Sequence, residues 1–205
     1  RSESCEVIVV DDGSADRTAA IVEEVAARCN SVRLLRHDVN RGKGAAVRTG
    51  VLDASGRLIL FTDADLSTPL TELDKLLTAI RNGYDVAIGS RGLPDSRIVT
   101  PQPLPRRLIG RVFPILVRCI VTRRFHDTQC GFKLFTREAA RTLFAPLRTP
   151  GFAFDVEILY RAIRQGMRVA EVPVVWVNSP YSSVRIVRHS FSMLAALFAI
   201  RCRRQ

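Results

Sequence analysis

Two aspartates one residue apart, Asp63 and Asp65 of Phe61-Thr62-Asp63-Ala64-Asp65, follow the apolar run Leu58-Ile59-Leu60-Phe61. Such a run reads as a buried strand, and ligands of open α/β sheets bind beyond the carboxyl ends of strands. Paired carboxylates there suit a hard cation. Magnesium or manganese takes oxygen ligands, keeps water, and shares its coordination with the oxygens of a diphosphate. A cation so held neutralises charge on a departing diphosphate. Taken alone, the pair fits a turn cap equally well. Its company argues for more. Asp11 and Asp12 of Asp11-Asp12-Gly13-Ser14 close the run Glu6-Val7-Ile8-Val9-Val10 in the same way, which places four carboxylates at one sheet edge. Crowded acids cost stability unless a cation or a donor-rich ligand compensates, and a nucleoside supplies donors. One of the two also reads as part of an ordinary turn into a helix.

Other residues could serve the same edge. Arg41-Gly42-Lys43-Gly44 opens a helix, where small residues let backbone N–H groups approach an anion, so Lys43 and its loop fit a phosphate contact. An ordinary left-handed turn with a solvated lysine fits as well, and the glycine spacing is not that of a Walker loop. Asp127-Thr128-Gln129-Cys130-Gly131-Phe132-Lys133 precedes another short strand. Asp127 there could be a general base, the orienter of an arginine, or a buried structural acid. Cys130 reads as a small buried residue, and the 3 histidines have no ligand spacing and read as structural.

The elements that would position these groups alternate. After the Glu6–Val10 strand, Ile21, Val22, Val25, Ala26 and Cys29 recur at helical spacing, with Asp16 or Ser14 as cap, and Arg33-Leu34-Leu35 forms a second strand. A helix from the glycines to about Ala54, the Leu58–Phe61 strand, a helix from Leu73 to Ile80 and a strand at Val86–Gly89 repeat the pattern. Further strands are expected at Phe132–Thr136 and Val169–Val177, and helices at Phe154–Arg164 and Val187–Arg203. This predicts α/β architecture, a mostly parallel sheet with helices on both faces. Between Arg91 and Pro105 the pattern stops, and prolines 94, 101, 103 and 105 mark a long loop. Beyond it, Leu108 to Val121 is apolar with Arg107, Arg111 and Arg118 among its residues, an amphipathic basic helix.

With 205 residues, 47% of them hydrophobic, the chain suits a single domain over 1–205. Its charge is uneven: residues 1–90 hold 11 Lys and Arg against 14 Asp and Glu, and residues 91–205 hold 20 against 6. An acidic half that holds cations and a basic half that meets phosphates or an anionic membrane surface follow from this division. Few aromatics stand at stacking intervals in the basic half, which argues against nucleic acid. The 5 scattered cysteines lack a metal or disulfide pattern and imply a reducing, cytoplasmic setting. No run reaches the roughly 20 apolar residues of a membrane span, so the expectation is a soluble or peripheral chain.

In order, Val-Val-Asp-Asp-Gly-Ser, Asn-Arg-Gly-Lys-Gly-Ala-Ala-Val-Arg-Thr-Gly, Phe-Thr-Asp-Ala-Asp-Leu-Ser-Thr-Pro, Gly-Ser-Arg and Asp-Thr-Gln-Cys-Gly-Phe-Lys resemble the family-two glycosyltransferases. Within these the chain is most similar to the dolichyl-phosphate or polyprenyl-phosphate β-glucosyltransferases, with the mannosyltransferases that use GDP-mannose second. The resemblance implies a GT-A fold, a nucleotide-sugar donor (a UDP-sugar ahead of a GDP-sugar), Mg2+ or Mn2+, and inversion at the anomeric carbon. It implies nucleoside contact by Asp12 and Asp11, donor contact by Lys43, and metal binding by Asp63 and Asp65 with Ser67. Arg91, with Arg106 or Arg107, would receive the acceptor phosphate, with Asp127 and Gln129 lining that side and Asp127 as organiser of the site. Asp65, Arg91 and Asp127 are thus the catalytic candidates, acting at a membrane surface on a polyprenyl or dolichyl phosphate. The family's first strand, Pro-Ala-Tyr-Asn-Glu-like, has no counterpart here. A fragment or nucleotide-sugar binding module is therefore the competing expectation.

Overall fold

A computed structural model describes residues 5–99, 113–178 and 186–203. Arg106, Arg107 and most of the proline-rich loop lie outside the described residues. In chain order the elements are β1 (Val7–Asp11), α1 (Thr18–Ala26), β2 (Val32–Arg36), α2 (Lys43–Asp53), β3 (Leu58–Thr62), a 3₁₀ turn (Leu70–Glu72) and α3 (Leu73–Arg81). They continue with β4 (Val86–Ser90), β5 (Arg97–Ile98), a helix α4 over 113–120, β6 (Phe132–Thr136), α5 (Arg137–Phe144), α6 (Phe154–Arg164), β7 (Val169–Pro173), β8 (Val175–Trp176) and α7 (Ile186–Cys202).

The central sheet has the order β3-β6-β4-β7. Its strands alternate between two cores, as the two-residue period of a strand requires. Ile59, Phe61, Val86, Ile88 and Phe135 face a core completed by Val51 of α2, Leu143 and Phe144 of α5, and Ile158 and Leu159 of α6. Ala87, Phe132 and Leu134 face the other side with Leu76 and Ala79 of α3. Every residue of β4 is buried, which is why Val86-Ala87-Ile88-Gly89 carries no polar alternation. Fully buried side chains such as Phe144 and Ile158 each contribute roughly 1.5–3 kcal/mol from burial.

The sheet is mostly parallel in strand direction, as expected, but it contains one reversed strand and is not continuous. β6 runs antiparallel to both β3 and β4, while β4 and β7 are parallel. β3, β4 and β7 therefore point one way, and β6 returns between them. β1 and β2 form a separate parallel pair, and among the described residues no ladder joins β1 to β3. Helix α2 packs against both.

The run expected as one strand over Val169–Val177 is two. Pro173 has no N–H for a ladder, so β7 ends there, and β8 turns away to pair with β5. β5 itself lies in the stretch expected to be irregular. Helix α5 was not anticipated, although it carries the usual signs. Thr136 caps it by accepting from the Ala139 N–H at 3.2 Å, and Ala139, Ala140, Leu143 and Phe144 form one buried face. No helix among the described residues is long and apolar enough to cross a membrane.

Candidate active site at the carboxyl ends of the strands

β3 and β4 end, and antiparallel β6 begins, at one edge of the sheet. Residues 127–131, which lead into β6, therefore lie between Asp63 after β3 and Arg91 after β4. The Asp63 N–H donates to the Gly131 carbonyl at 3.0 Å. Gly131 must be a glycine here, because a Cβ would stand 2.0 to 2.5 Å from the Asp63 carboxyl atoms. On the other side Arg91 holds Asp127 with two prongs, Nε to Oδ2 at 2.6 Å and Nη2 to Oδ1 at 2.9 Å. The backbone N–H groups of Arg91 and Gln129 donate to the same carboxylate.

This geometry decides the state of Asp127. Burial works against its charge, yet the Arg91 guanidinium and the hydrogen bonds from it bring the carboxyl down to about 2. For Arg91, burial is outweighed by Asp127, and its pKa is raised. The guanidinium also lies 5.6 Å from the centre of the Trp176 ring. Behind the pair, Glu171 of β7 accepts from the N–H groups of His126 and Asp127 and so fixes the loop.

Helix α2 brings the remaining acids together. Lys43 at its start places Nζ 2.7 Å from Asp63 Oδ1. Burial opposes the lysine charge, but Asp63, Asp155 and Asp65 outweigh it and raise its pKa. Beneath, Lys133 is fully buried on the α6 side of β6 and donates to Asp155 Oδ1 at 2.6 Å. Burial pushes the Asp155 carboxyl up, and the two lysines only partly offset this. Asp63 and Lys43 thus sit above a second, buried acid–base pair. Sequence reasoning missed that pair, although a lone lysine in Phe132-Lys133-Leu134-Phe135 was a visible signal.

The adjacent aspartates of β1 have separate fates. Asp12 anchors the loop before α2. Its Oδ1 accepts from the Arg41 N–H at 2.9 Å and meets His37 Nδ1 at 2.6 Å, and its Oδ2 accepts from the Gly42 N–H at 2.8 Å. Burial raises the Asp12 carboxyl, but these donors prevail and hold it below the usual carboxylate range. Asp11 spends Oδ1 on the Ser14 N–H, and its buried Oδ2 has no hydrogen-bond partner, Arg36 Nε standing off at 3.7 Å. A hollow of about 380 Å³ lined by Gly13, Ser14, Arg36, His37 and Asp38 lies at this end of β1.

The loop 41–44 is not an open phosphate cradle. Two of its N–H groups go to Asp12, and the Ala45 N–H donates to the Pro150 carbonyl at 3.1 Å. Its glycines permit close packing instead. Gly42 has φ +99°, and a Cβ on Gly44 would stand 2.5 Å from the Thr149 carbonyl and 2.6 Å from Phe154 Cβ.

A model of the family described as Glycosyl transferase family 2 matches residues 1–144. The chain belongs to glycosyl transferase family 2. It is 37% identical over 207 residues to a Dictyostelium discoideum protein named dolichyl-phosphate beta-glucosyltransferase, covering 98% of this chain and 63% of that one. To the human protein of the same name it is 38% identical over 181 residues, covering 84% of this chain and 56% of the other. The chain thus spans between half and two thirds of the length of these relatives. Among solved structures, Mycobacterium tuberculosis glucosyl-3-phosphoglycerate synthase superposes with a TM-score of 0.68 at 21% identity, covering 98% of this chain and 70% of that one. A crystal structure of that synthase in complex with Mg2+ and uridine-diphosphate gives the same TM-score at 19% identity. The fold is therefore GT-A, as the resemblance implied.

Within this family 2 domain the expected residues divide. Asp63, Lys43, Arg91 and Asp127 converge around the start of β6. Asp65 is exposed, and its Oδ1 accepts from the N–H of buried Ser67 at 3.0 Å. Gln129 contributes its N–H to Asp127. Among the described residues no group of three His, Cys, Asp or Glu side chains could hold a metal. A magnesium or manganese ion held by Asp63 and Asp65 would take its remaining oxygens from water and a diphosphate. Arg106 and Arg107 lie outside the described residues.

Proposed function

We propose that this chain carries the catalytic site of an inverting glycosyltransferase that moves glucose from UDP-glucose to a polyprenyl or dolichyl phosphate at a membrane surface. The observation that carries the reading is the pairing at the start of β6, where Asp63 stands on one side and an Arg91 clamped by Asp127 on the other. The names of the relatives support the acceptor and the sugar, and the UDP complex of the structural neighbour supports the nucleotide.

On this reading Asp11, whose Oδ2 accepts no hydrogen bond within the chain, accepts one from the nucleoside. Asp12 serves it indirectly, by holding the loop that presents Lys43. Asp63 and Asp65 would hold Mg2+ or Mn2+, which neutralises charge on the diphosphate leaving group when bound. Arg91 receives the acceptor phosphate through the N–H donors that Asp127 does not use. The acceptor oxygen is already anionic, so attack at the anomeric carbon needs orientation and charge neutralisation more than a base. Asp127, held at about 2 and committed to Arg91, is a positioning residue. Attack from the face opposite the departing diphosphate gives inversion. Contact with the membrane falls to α4 and α7, which pack together through Val117, Leu197 and Ile200 and expose Ile115 and Phe198 beside Arg118 and Arg201.

The test is transfer of labelled glucose from UDP-glucose to a polyprenyl phosphate with Mn2+, read as label in the lipid extract. Transfer by the wild type and a loss of ~100-fold or more in Asp65→Ala are expected, the scale of removing a main transition-state charge stabiliser. Transfer from GDP-mannose instead would reassign the donor. A folded chain that binds UDP but transfers neither sugar would overturn this reading in favour of a nucleotide-sugar binding module.

A further inference from the structure

Lys43 stands on the carboxylate that a cation would need. Its Nζ is 2.7 Å from Asp63 Oδ1 and lies 5.5 Å from the Phe61 ring centre and 6.0 Å from that of Phe152. Asp63 has little freedom to turn away from it. The Asp63 N–H is tied to the Gly131 carbonyl, and its carboxylate rests against the Gly131 Cα, where even a methyl group has no room. The nearby buried acid is no alternative seat for the ammonium, because Asp155 is already engaged by Lys133 at 2.6 Å. An ammonium and a divalent ion at one carboxylate would sit roughly 4–6 Å from each other, where like charges repel strongly outside bulk water.

We propose that Lys43 and the divalent cation compete for Asp63, so that the cation binds tightly only when an anionic diphosphate draws the ammonium off the carboxylate. The inference rests on the reading of Asp63 and Asp65 as cation ligands. It makes Lys43 a gate on cation binding as well as a donor contact. Cation and donor then bind with mutual reinforcement, and the coupling is reciprocal by linkage. A cation without its nucleotide finds Asp63 already neutralised, which disfavours a metal-loaded, donor-less site.

The experiment measures Mn2+ binding by electron paramagnetic resonance of the unbound ion, for the wild type, Lys43→Met and Lys43→Arg, each with and without UDP. Without UDP, Lys43→Met should bind Mn2+ ~10-fold or more tighter than the wild type, and Lys43→Arg should stay weak, an effect within the usual range of site coupling. UDP should tighten Mn2+ binding by a similar factor in the wild type and by much less in Lys43→Met. Unchanged or weaker binding by Lys43→Met without UDP, in protein whose thermal melt matches the wild type, overturns the proposal. Should that variant fail to fold, Lys43→Gln is held to the same criterion. A wild type that binds no Mn2+ even with saturating UDP removes the cation site and the inference together. Mn2+ binding with UDP but no gain in Lys43→Met overturns the competition alone.

Discussion

Asp11 and Asp12 are neighbours of one residue type, and their surroundings separate them completely. Asp12 is saturated by two backbone N–H groups and His37, whereas Asp11 keeps one buried oxygen that accepts no hydrogen bond and faces Arg36 Nε only at 3.7 Å. A buried unpaired acceptor is costly unless a ligand completes it, and a satisfied one is structural. Asp12→Ala should therefore lower stability by about 1–3 kcal/mol, the cost of orphaning the donors it serves. Asp11→Asn should leave the thermal melt within a degree or two of wild type while weakening UDP binding ~10-fold or more, since it removes a charge-assisted acceptor. Denaturant titration and UDP calorimetry on both variants check this, and the reverse pattern would return the nucleoside contact to Asp12. From the sequence, the two aspartates were interchangeable, because an Asp-Asp-Gly turn does not reveal which carboxylate the following loop will consume.

At the scale of elements, the antiparallel course of β6 matters most. Had it run parallel like its neighbours, residues 127–131 would enter from the far edge of the sheet, and Asp127 could not meet Arg91. The clamp between β4 and β6 has a pH signature. The Asp127 carboxyl is depressed to about 2, so its contribution is fully present above the ordinary carboxylate pKa of about 4 and is lost as pH falls toward 2. The stability gap between wild type and Asp127→Asn should be constant above about pH 5 and close below it, as thermal melts between pH 7 and 2 would record. A gap that closed near neutral pH would mean that Asp127 is not held by Arg91. Strand periodicity is blind to direction, which is why Phe132–Thr136 was recognised as a strand while its orientation was not. Pro173 was equally visible, but the turn of β8 toward β5 depends on a partner distant in sequence.

Over the whole molecule, the acidic first 90 residues and the basic remainder meet at the sheet edge that carries Asp63 and Arg91. Ile115 and Phe198 are exposed, each one helical turn before an exposed arginine, Arg118 and Arg201, and on the proposed reading these residues meet anionic lipid. Cosedimentation with vesicles containing phosphatidylserine should be strong at low salt and fall steeply toward 1 M salt, where the screening length shrinks to about 3 Å. Binding only to neutral vesicles, or none at low salt, would remove the charged face from the account. The sequence by itself determined the α/β class, most of the elements, the family, and the residue types that could do chemistry. These follow from short-range periodicity and from motifs read along the chain. Only the tertiary structure decided which of those residues meet. Lys43 on Asp63, Arg91 around Asp127, the buried Lys133–Asp155 pair and the Asp11 oxygen that accepts no hydrogen bond all depend on strand direction and helix packing, which bring together side chains tens of residues apart.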